Sequence, residues 1–177
     1  KKPLILSSGM STKEELSITI NFLNERKVNF AILHCNSTYP APLHDINLKW
    51  IKNIKKIHNL VGYSGHERGI NVSIGAAALG ASIIERHFTL DRNMEGPDHA
   101  ASLEPNELFN MVKSIRNIEV SLGDGVKKPS GSEEKNIPTV RKSIVAKKKI
   151  KKGEIFSELN TTCKRPEGGI SPIYWNS

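Results

Sequence analysis

Four short apolar runs, each bounded by Gly, Ser or charged residues, occur along the first 122 residues of the chain. Apolar runs of this length between turn residues are typical of buried β-strands. We therefore predict four strands, at residues 3–7, 30–34, 60–64 and 81–88.

Apolar residues at helical spacing follow each predicted strand. The first helix is predicted to open at Ser11, because Glu14 lies three positions later, as in a capping box. The other helices are predicted from Leu48, Ile51 and Ile54, from the Gly/Ala-rich stretch 70–80, and from Leu108, Met111, Val112 and Ile115 behind Pro105.

Strand and helix alternate four times with a repeat of roughly 25–30 residues, which predicts consecutive βα units and a parallel sheet. Four such units form either a small open sheet or half of an eight-unit barrel, which takes about 250 residues. Neither a dinucleotide-binding glycine fingerprint nor a phosphate-binding GxxxxGK loop follows any strand. This absence disfavours the common open-sheet cofactor folds.

The character of the sequence changes after Leu122. Residues 123–138 are polar and rich in Gly, Pro and Ser, which predicts a linker. Residues 139–177 read as the start of a small, mostly β module. Its strand-prone pieces are Ser143–Ala146, Glu154–Phe156 and Leu159–Lys164.

The net charge of +8 is unevenly distributed. From Lys127 onward there are 12 Lys/Arg and 5 Asp/Glu residues, whereas the first 126 residues hold 14 and 13. The basic tail could be a nucleic-acid patch, but it lacks interleaved aromatic residues and a binding motif. We therefore interpret it as a solvated surface and expect no nucleic-acid partner.

The sequence gives no sign of a membrane or secretory segment. No run approaches the roughly 20 apolar residues that cross a bilayer, and the apolar start is too short for a signal peptide. Cys35 and Cys163 form no spacing motif, so we expect a reducing, cytoplasmic setting. The chain does not begin with Met, and we expect it to be part of a longer protein.

The candidate chemistry lies at the ends of the third and fourth strands. In a strand–helix–strand unit both strands run the same way, so His66 and His87 emerge at one carboxyl edge, where α/β proteins bind ligands. A loop with Asp91, Glu95, Asp98 and His99 follows. From the residues alone, the histidines are either metal ligands or hydrogen-bonded structural residues.

Other polar residues have more than one interpretation. Glu85 either faces the site with His87 or pairs with Arg86 or a lysine. His99 is expected to make a loop hydrogen bond, and His44 and His58 are expected at the surface. A nucleophilic His34–Cys35 pair is disfavoured, because adjacent strand residues point to opposite faces.

Six motifs follow one another in the order and spacing of the sialic acid synthase family, which includes N-acetylneuraminate, legionaminic acid and pseudaminic acid synthases. They are SSGM, HCNSTYPAP, VGYSGH, GASIIERHFTLD, GPDHAASLEP and KRPEGGISP. The resemblance implies that residues 1–122 are the second half of a TIM barrel, residues 123–138 a linker and residues 139–177 the start of an SAF (antifreeze-like) domain. It further implies condensation of phosphoenolpyruvate with an N-acyl amino sugar such as N-acetylmannosamine, with a divalent metal (Mn or Mg).

The resemblance also assigns roles to individual residues. His66 and His87 match the two metal ligands and, with Asp98, the catalytic set, in which Asp98 binds the sugar near the metal. Ser7 and Ser64 match serines that contact phosphoenolpyruvate. The other implied substrate contacts are Tyr39 in the sugar pocket, Ser37 at a position where relatives often carry Asn, and Arg165, which reaches the N-acyl group in the partner subunit of a domain-swapped homodimer.

Two alternatives remain open from the sequence. One is a degenerate, metal-dependent sugar-binding module, and the other is carbohydrate binding without catalysis by the SAF-like tail. The family's phosphate-binding lysine and catalytic glutamate belong to the barrel half that this sequence does not include. We therefore expect the 177-residue chain alone to self-associate and to lack turnover.

Overall fold

Four parallel strands in the order β1-β2-β3-β4 form the sheet that carries the candidate site. The computed structural model describes residues 2–176. Its strands are β1 (Leu4–Ser7), β2 (Phe30–Cys35), β3 (Val61–Gly65) and β4 (Ile83–Arg86). The fourth strand is shorter than predicted, so His87 is the first residue beyond it.

A helix follows each strand, as the spacing predicted. The helices are α1 (Lys13–Glu25), α2 (Trp50–Ile54), α3 (Asn71–Ala78) and α4 (Pro105–Ser121). The first helix begins one residue later than predicted: Thr12 Oγ1 accepts from Glu15 N at 3.2 Å, and Glu15 Oε2 accepts from Thr12 N at 2.7 Å. Ser11 instead donates its hydroxyl to Ser8 O, 2.7 Å away, and so stabilises the preceding turn.

The helices cover one face of the sheet, and the hydrophobic core lies between the helices and that face. Alternate strand residues such as Ile32 and Tyr63 are buried among Ile51 and Ile54 of α2 and Ile20 of α1. Burial of such side chains contributes about 1.5–3 kcal/mol each. On α4, Met111 and Ile115 are buried as predicted, but Val112 is 44% exposed, because it lies at the margin of the helical face.

Residues from 126 onward form a separate compact unit. It contains the short helices α5 (Gly131–Glu134) and α6 (Ile137–Val140) and an antiparallel pair, β5 (Ser143–Ala146) and β6 (Thr161–Lys164). Residues 154–156, predicted as a strand, form none; Glu154 caps a turn by accepting from Lys151 N. None of the helices in the described part of the chain has the length and apolarity to cross a membrane.

Candidate active site

Parallel pairing brings the polar residues at the carboxyl edge into register. Cys35 pairs with Ser64, and Ser64 pairs with Glu85, so these three residues lie side by side on neighbouring strands. Two residues further along, on the same face, come His66 and His87. The sheet therefore places a thiol, a hydroxyl and a carboxylate in one row, two residues before the two imidazoles on the same face.

The two histidines predicted to act together do lie together. Their ring centroids are 5.2 Å apart, with the planes nearly perpendicular at 85°. Tyr39, from the loop after β2, completes the group: its ring centroid is 4.2 Å from that of His66 and 5.4 Å from that of His87. The three predicted residues thus form one aromatic cluster at the edge of the sheet.

His66 is held in one orientation by the loop after β2. It is buried, and its Nδ1–H donates to Asn36 O at 2.6 Å. Its own carbonyl oxygen accepts from Ala41 N at 3.0 Å. Because Nδ1 carries the proton, Nε2 remains an acceptor, and this tautomer allows a histidine to bind a metal through Nε2.

His87 is more open, and the loop carrying Asp98 lies beside it. Asp98 Oδ2 is 3.9 Å from His87 Nδ1, close enough for charge attraction but too long for a hydrogen bond. Ser102 Oγ fixes the loop by donating to Asp98 O at 2.8 Å. His99 makes the loop hydrogen bond that was predicted for it, between its Nδ1 and Thr89 Oγ1 at 2.7 Å.

Glu85 lies on the site side and does not pair with Arg86. Ser64 Oγ donates to Glu85 Oε1 at 2.6 Å, so the carboxylate orients the hydroxyl. Arg86 points to the opposite face, where it forms a buried ion pair with Glu67 at 2.8 Å. Sequence reasoning missed this partner, because Glu67 lies 19 positions away on another loop.

Ser7 and Ser37 lie at the β1–β2 end of the same edge. Ser7 is the last residue of β1 and is exposed. Ser37 packs against the β1–α1 loop so closely that a Cβ added to Gly9 would overlap its Oγ. Glycine at position 9 therefore allows the two loops to meet.

His34 and Cys35 do not form a nucleophilic pair, as their neighbouring positions on β2 predicted. His34 Nε2 donates to Ile46 O at 2.5 Å on the helix side of the sheet, away from Cys35. Burial raises the pKa of the Cys35 thiol, which disfavours the thiolate although its Sγ is 3.8 Å from His66 Nδ1. His58 is half-buried, contrary to the surface position predicted: its ring stacks on Phe30 and its Nε2 donates to Phe30 O at 2.8 Å.

Arg165 belongs to the second unit. It is exposed and directly follows β6. Ser143 Oγ supports this turn by donating to Pro166 O at 3.2 Å and accepting from Gly169 N at 3.1 Å. The turn thus presents Arg165 at the surface of this unit.

The spacing of His66 and His87 meets one condition for binding a shared metal ion. A metal about 2.1 Å from a ring nitrogen lies roughly 3.2 Å from that ring's centroid, so a shared ion needs centroids within about 6.5 Å. The observed 5.2 Å meets this condition. Among residues 2–176 no group of three or more His, Cys, Asp or Glu side chains is arranged to hold a metal. The two histidines are therefore candidate ligands for a metal, without a third such side chain arranged beside them in the described part of the chain.

This architecture defines an α/β protein with a candidate ligand site at the carboxyl ends of parallel strands. The chain belongs to the NeuB family, whose model matches residues 1–127, and an SAF domain model matches residues 141–177. Of its relatives, N,N'-diacetyllegionaminic acid synthase from Campylobacter jejuni is 55% identical over 176 residues, covering 97% of this chain and 53% of the relative. Human N-acetylneuraminate-9-phosphate synthase is 40% identical over 171 residues, covering 94% and 48%.

A solved structure shares the fold as well as the sequence. The N-acetylneuraminic acid synthetase from Leptospira borgpetersenii, in complex with citrate, superimposes with a TM-score of 0.70 at 38% identity. The match covers 76% of this chain and 48% of that structure. The chain spans about half the length of the relatives that it matches.

Proposed function

We propose that this chain supplies the metal-binding half of a nonulosonic acid synthase, which condenses phosphoenolpyruvate with an N-acyl amino sugar and releases phosphate. The observation that carries the proposal is the His66–His87 pair, whose ring centroids are 5.2 Å apart at the carboxyl edge of the sheet. Membership of the NeuB family and relatives named as synthases of legionaminic and neuraminic acids support it.

The proposal includes a barrel. The four βα units are then the second half of a TIM barrel, and four further units complete it. Two features support this arrangement: β1 and β4 are edge strands, and Ile5 on the face away from the helices is 57% exposed. A further half would cover that face, which an open sheet leaves to solvent.

The reaction joins the methylene carbon of phosphoenolpyruvate to the aldehyde carbon of the open-chain sugar. Water adds to the neighbouring carbon, and phosphate leaves as its C–O bond breaks. A divalent metal, Mn or Mg, bound by His66 and His87 would polarise the aldehyde oxygen.

The chain's own side chains position the reactants. Asn36 O holds the Nδ1 proton of His66, which keeps Nε2 available as a ligand. Ser7 offers a hydroxyl donor to the carboxylate or phosphate of phosphoenolpyruvate. Ser64 donates its hydroxyl proton to Glu85 in this structure, so its contact with phosphoenolpyruvate would require the hydroxyl to turn away from Glu85. Asp98 accepts from a sugar hydroxyl beside His87.

Three further residues, besides the two histidines and Asp98, are proposed to contact the sugar. The Tyr39 ring covers His66 and lines the sugar pocket, with Ser37 beside it. Arg165 reaches the N-acyl group of a sugar bound in the partner subunit of a homodimer. A guanidinium offers a rigid fork of donors to a carbonyl oxygen.

Metal binding by the full-length protein tests the site. His66→Ala and His87→Ala should each weaken Mn²⁺ binding by more than about 100-fold, since even outer partners of metal ligands are worth 10–100-fold. His44→Ala, at an exposed histidine, should bind Mn²⁺ as the wild type does. Phosphate release should require both substrates and stop with EDTA. Full activity of His66→Ala in EDTA would rule out the assignment, and binding without turnover would favour the sugar-binding module.

Complementation tests the role of Arg165. In a swapped dimer of one His87→Ala chain and one Arg165→Ala chain, one site carries both changes and the other carries neither. Mixing equal amounts of the two inactive proteins should restore about a quarter of the wild-type activity, because half of the dimers are mixed and each has one intact site. Demonstrated subunit exchange without recovery would contradict the swap.

A further inference from the structure

A buried cluster on the opposite side of β3 and β4 joins the two loops that carry the histidines. Glu67 directly follows His66, and Arg86 directly precedes His87. The side chains of Glu67 and Arg86 are 1% and 2% exposed, and Arg86 Nη1 donates to Glu67 Oε1 at 2.8 Å. The residues flanking the candidate ligands are thus bonded directly to each other.

Arg86 fastens more of the β3–α3 loop than the Glu67 carboxylate. Its Nη2 donates to Glu67 O at 2.5 Å, and its Nη1 also contacts Gly69 O at 2.8 Å and Ser73 Oγ at 2.9 Å. Tyr63 Oη donates to the second carboxylate oxygen of Glu67 at 2.6 Å. One side chain from the end of β4 therefore fixes the backbone at two points just after His66.

The strand backbone makes room for this cluster. A Cβ added to Gly65 would lie 2.7 Å from Tyr63 Cε1, 2.9 Å from Glu67 Oε2 and 3.0 Å from Arg86 Cδ. All three distances are shorter than normal contacts between such atoms. Glycine directly before His66 thus lets the ion pair pack against the strand that carries this histidine.

Stability is a poor explanation for such a cluster. Apolar residues of similar volume often stabilise a protein as well as a buried ion pair does. Arg86 Nε is buried without a hydrogen-bond partner in the described part of the chain, which adds a further cost. Unlike apolar packing, the hydrogen bonds of the cluster fix the position of the loop after β3 relative to the end of β4.

We propose that Glu67 and Arg86 are positioning residues, which set the separation and orientation of His66 and His87 from behind the sheet. This inference rests on the proposed function only in one respect, namely that the two histidines bind a metal. The geometric claim concerns His66 itself, whose Nδ1–H donates to Asn36 O. If the loop is released, this hydrogen bond is lost and the ring no longer keeps a single tautomer.

The test compares Arg86→Met with a control of matched stability in the full-length protein. Ile20→Ala is the control, because Ile20 is buried on α1, which contributes no residue to the cluster. Urea denaturation establishes that both variants are folded and how much stability each loses. If Arg86→Met does not fold, the double variant Glu67→Gln/Arg86→Met removes both charges and takes its place.

Two readouts separate positioning from simple destabilisation. ¹⁵N NMR of the imidazoles should show one His66 tautomer, with Nδ1 protonated, in the wild type and in Ile20→Ala, but a mixture in Arg86→Met. The affinity for Mn²⁺ should fall about 10–100-fold in Arg86→Met alone. Arg86→Lys keeps the positive charge but loses the forked set of guanidinium donors. Its Mn²⁺ affinity and its share of the Nδ1-protonated tautomer should lie between those of the wild type and Arg86→Met.

The outcomes distinguish this inference from the metal assignment. A mixed tautomer in Arg86→Met, in a protein whose wild type binds no Mn²⁺, supports positioning and refutes the metal. An unchanged tautomer and an unchanged Mn²⁺ affinity in folded Arg86→Met overturn the positioning role. Equal effects of Ile20→Ala and Arg86→Met on both readouts also overturn it.

Discussion

Gly62 lies on the face of β3 that points away from the helices, between Leu33 of β2 and Ile83 of β4, with which it is in register. We predict that Gly62→Ala destabilises the first unit. The added Cβ would overlap Leu33 Cδ2 and would lie 2.5 Å from Ile83 O and 2.8 Å from Ile83 Cβ. The side chain of Leu33 can rotate away, but the carbonyl of Ile83 belongs to the backbone of the neighbouring strand.

The size of the expected loss of stability follows from the close approach to the Ile83 carbonyl oxygen. Carbon and carbonyl oxygen normally approach no closer than about 3.3 Å, so β3 and β4 would have to move apart by roughly 0.8 Å. Overpacking of this kind costs about 1–3 kcal/mol of unfolding free energy, and we expect the upper end because the neighbour is backbone. The same displacement would shift Ser64, on β3, and His66, which directly follows β3.

Gly75→Ala is the matched control. Gly75 lies inside α3, and its added Cβ would meet only the flexible end of Leu48, with Cδ1 at 3.3 Å. Alanine inside a helix is worth about 0.5–1 kcal/mol over glycine, so this variant should be as stable as the wild type or more stable. Urea denaturation followed by far-UV circular dichroism measures both. If Gly62→Ala proves at least as stable as Gly75→Ala, the packing argument is wrong.

Two further predictions concern His34 and α4. Burial lowers the pKa of His34, whereas the unfolded chain takes up the proton near the ordinary value of 6.5. The stability should therefore be complete above about pH 6.5 and decrease as the pH falls through that value. Urea titrations at pH 5 and 7.5 should show a smaller decrease in His34→Gln, and identical decreases would contradict the assignment. In the 177-residue chain, Met111→Ala should cost about 2–5 kcal/mol. Val112→Ala, at a 44% exposed position, should cost about 0.5 kcal/mol, and similar denaturation midpoints would contradict the described helical face.

The local pattern sufficed to predict the elements that carry the site. Apolar runs between turn residues predicted all four strands, and helical spacing predicted the apolar residues Ile51 and Ile54 that are buried on α2. The errors lie at the ends of elements. The helix is capped by Thr12 and not by Ser11, because both residues can cap a helix and the Ser11 hydroxyl bonds to Ser8 O instead. Strand β4 ends at Arg86, one residue before His87.

The site was predictable only in part. Direction along parallel strands placed His66 and His87 at one edge, because all strands in such a sheet point the same way. Motif resemblance supplied the roles of Ser7, Tyr39 and Asp98, which stay predictions. Arg165 lies in the second unit, apart from the sheet that carries the histidines in the sequence. Its predicted contact with the N-acyl group of the sugar also stays a prediction.

The sequence by itself determined the order of strands and helices, the parallel direction of the sheet and the edge at which the histidines emerge. These follow from periodicity and chain connectivity, which are local properties. The tertiary structure alone decided the partners across the sheet: Ser64 with Glu85, His66 with Asn36, and Arg86 with Glu67. Register between strands fixes these contacts, and register depends on the packing of side chains far apart in the chain, which no local pattern encodes.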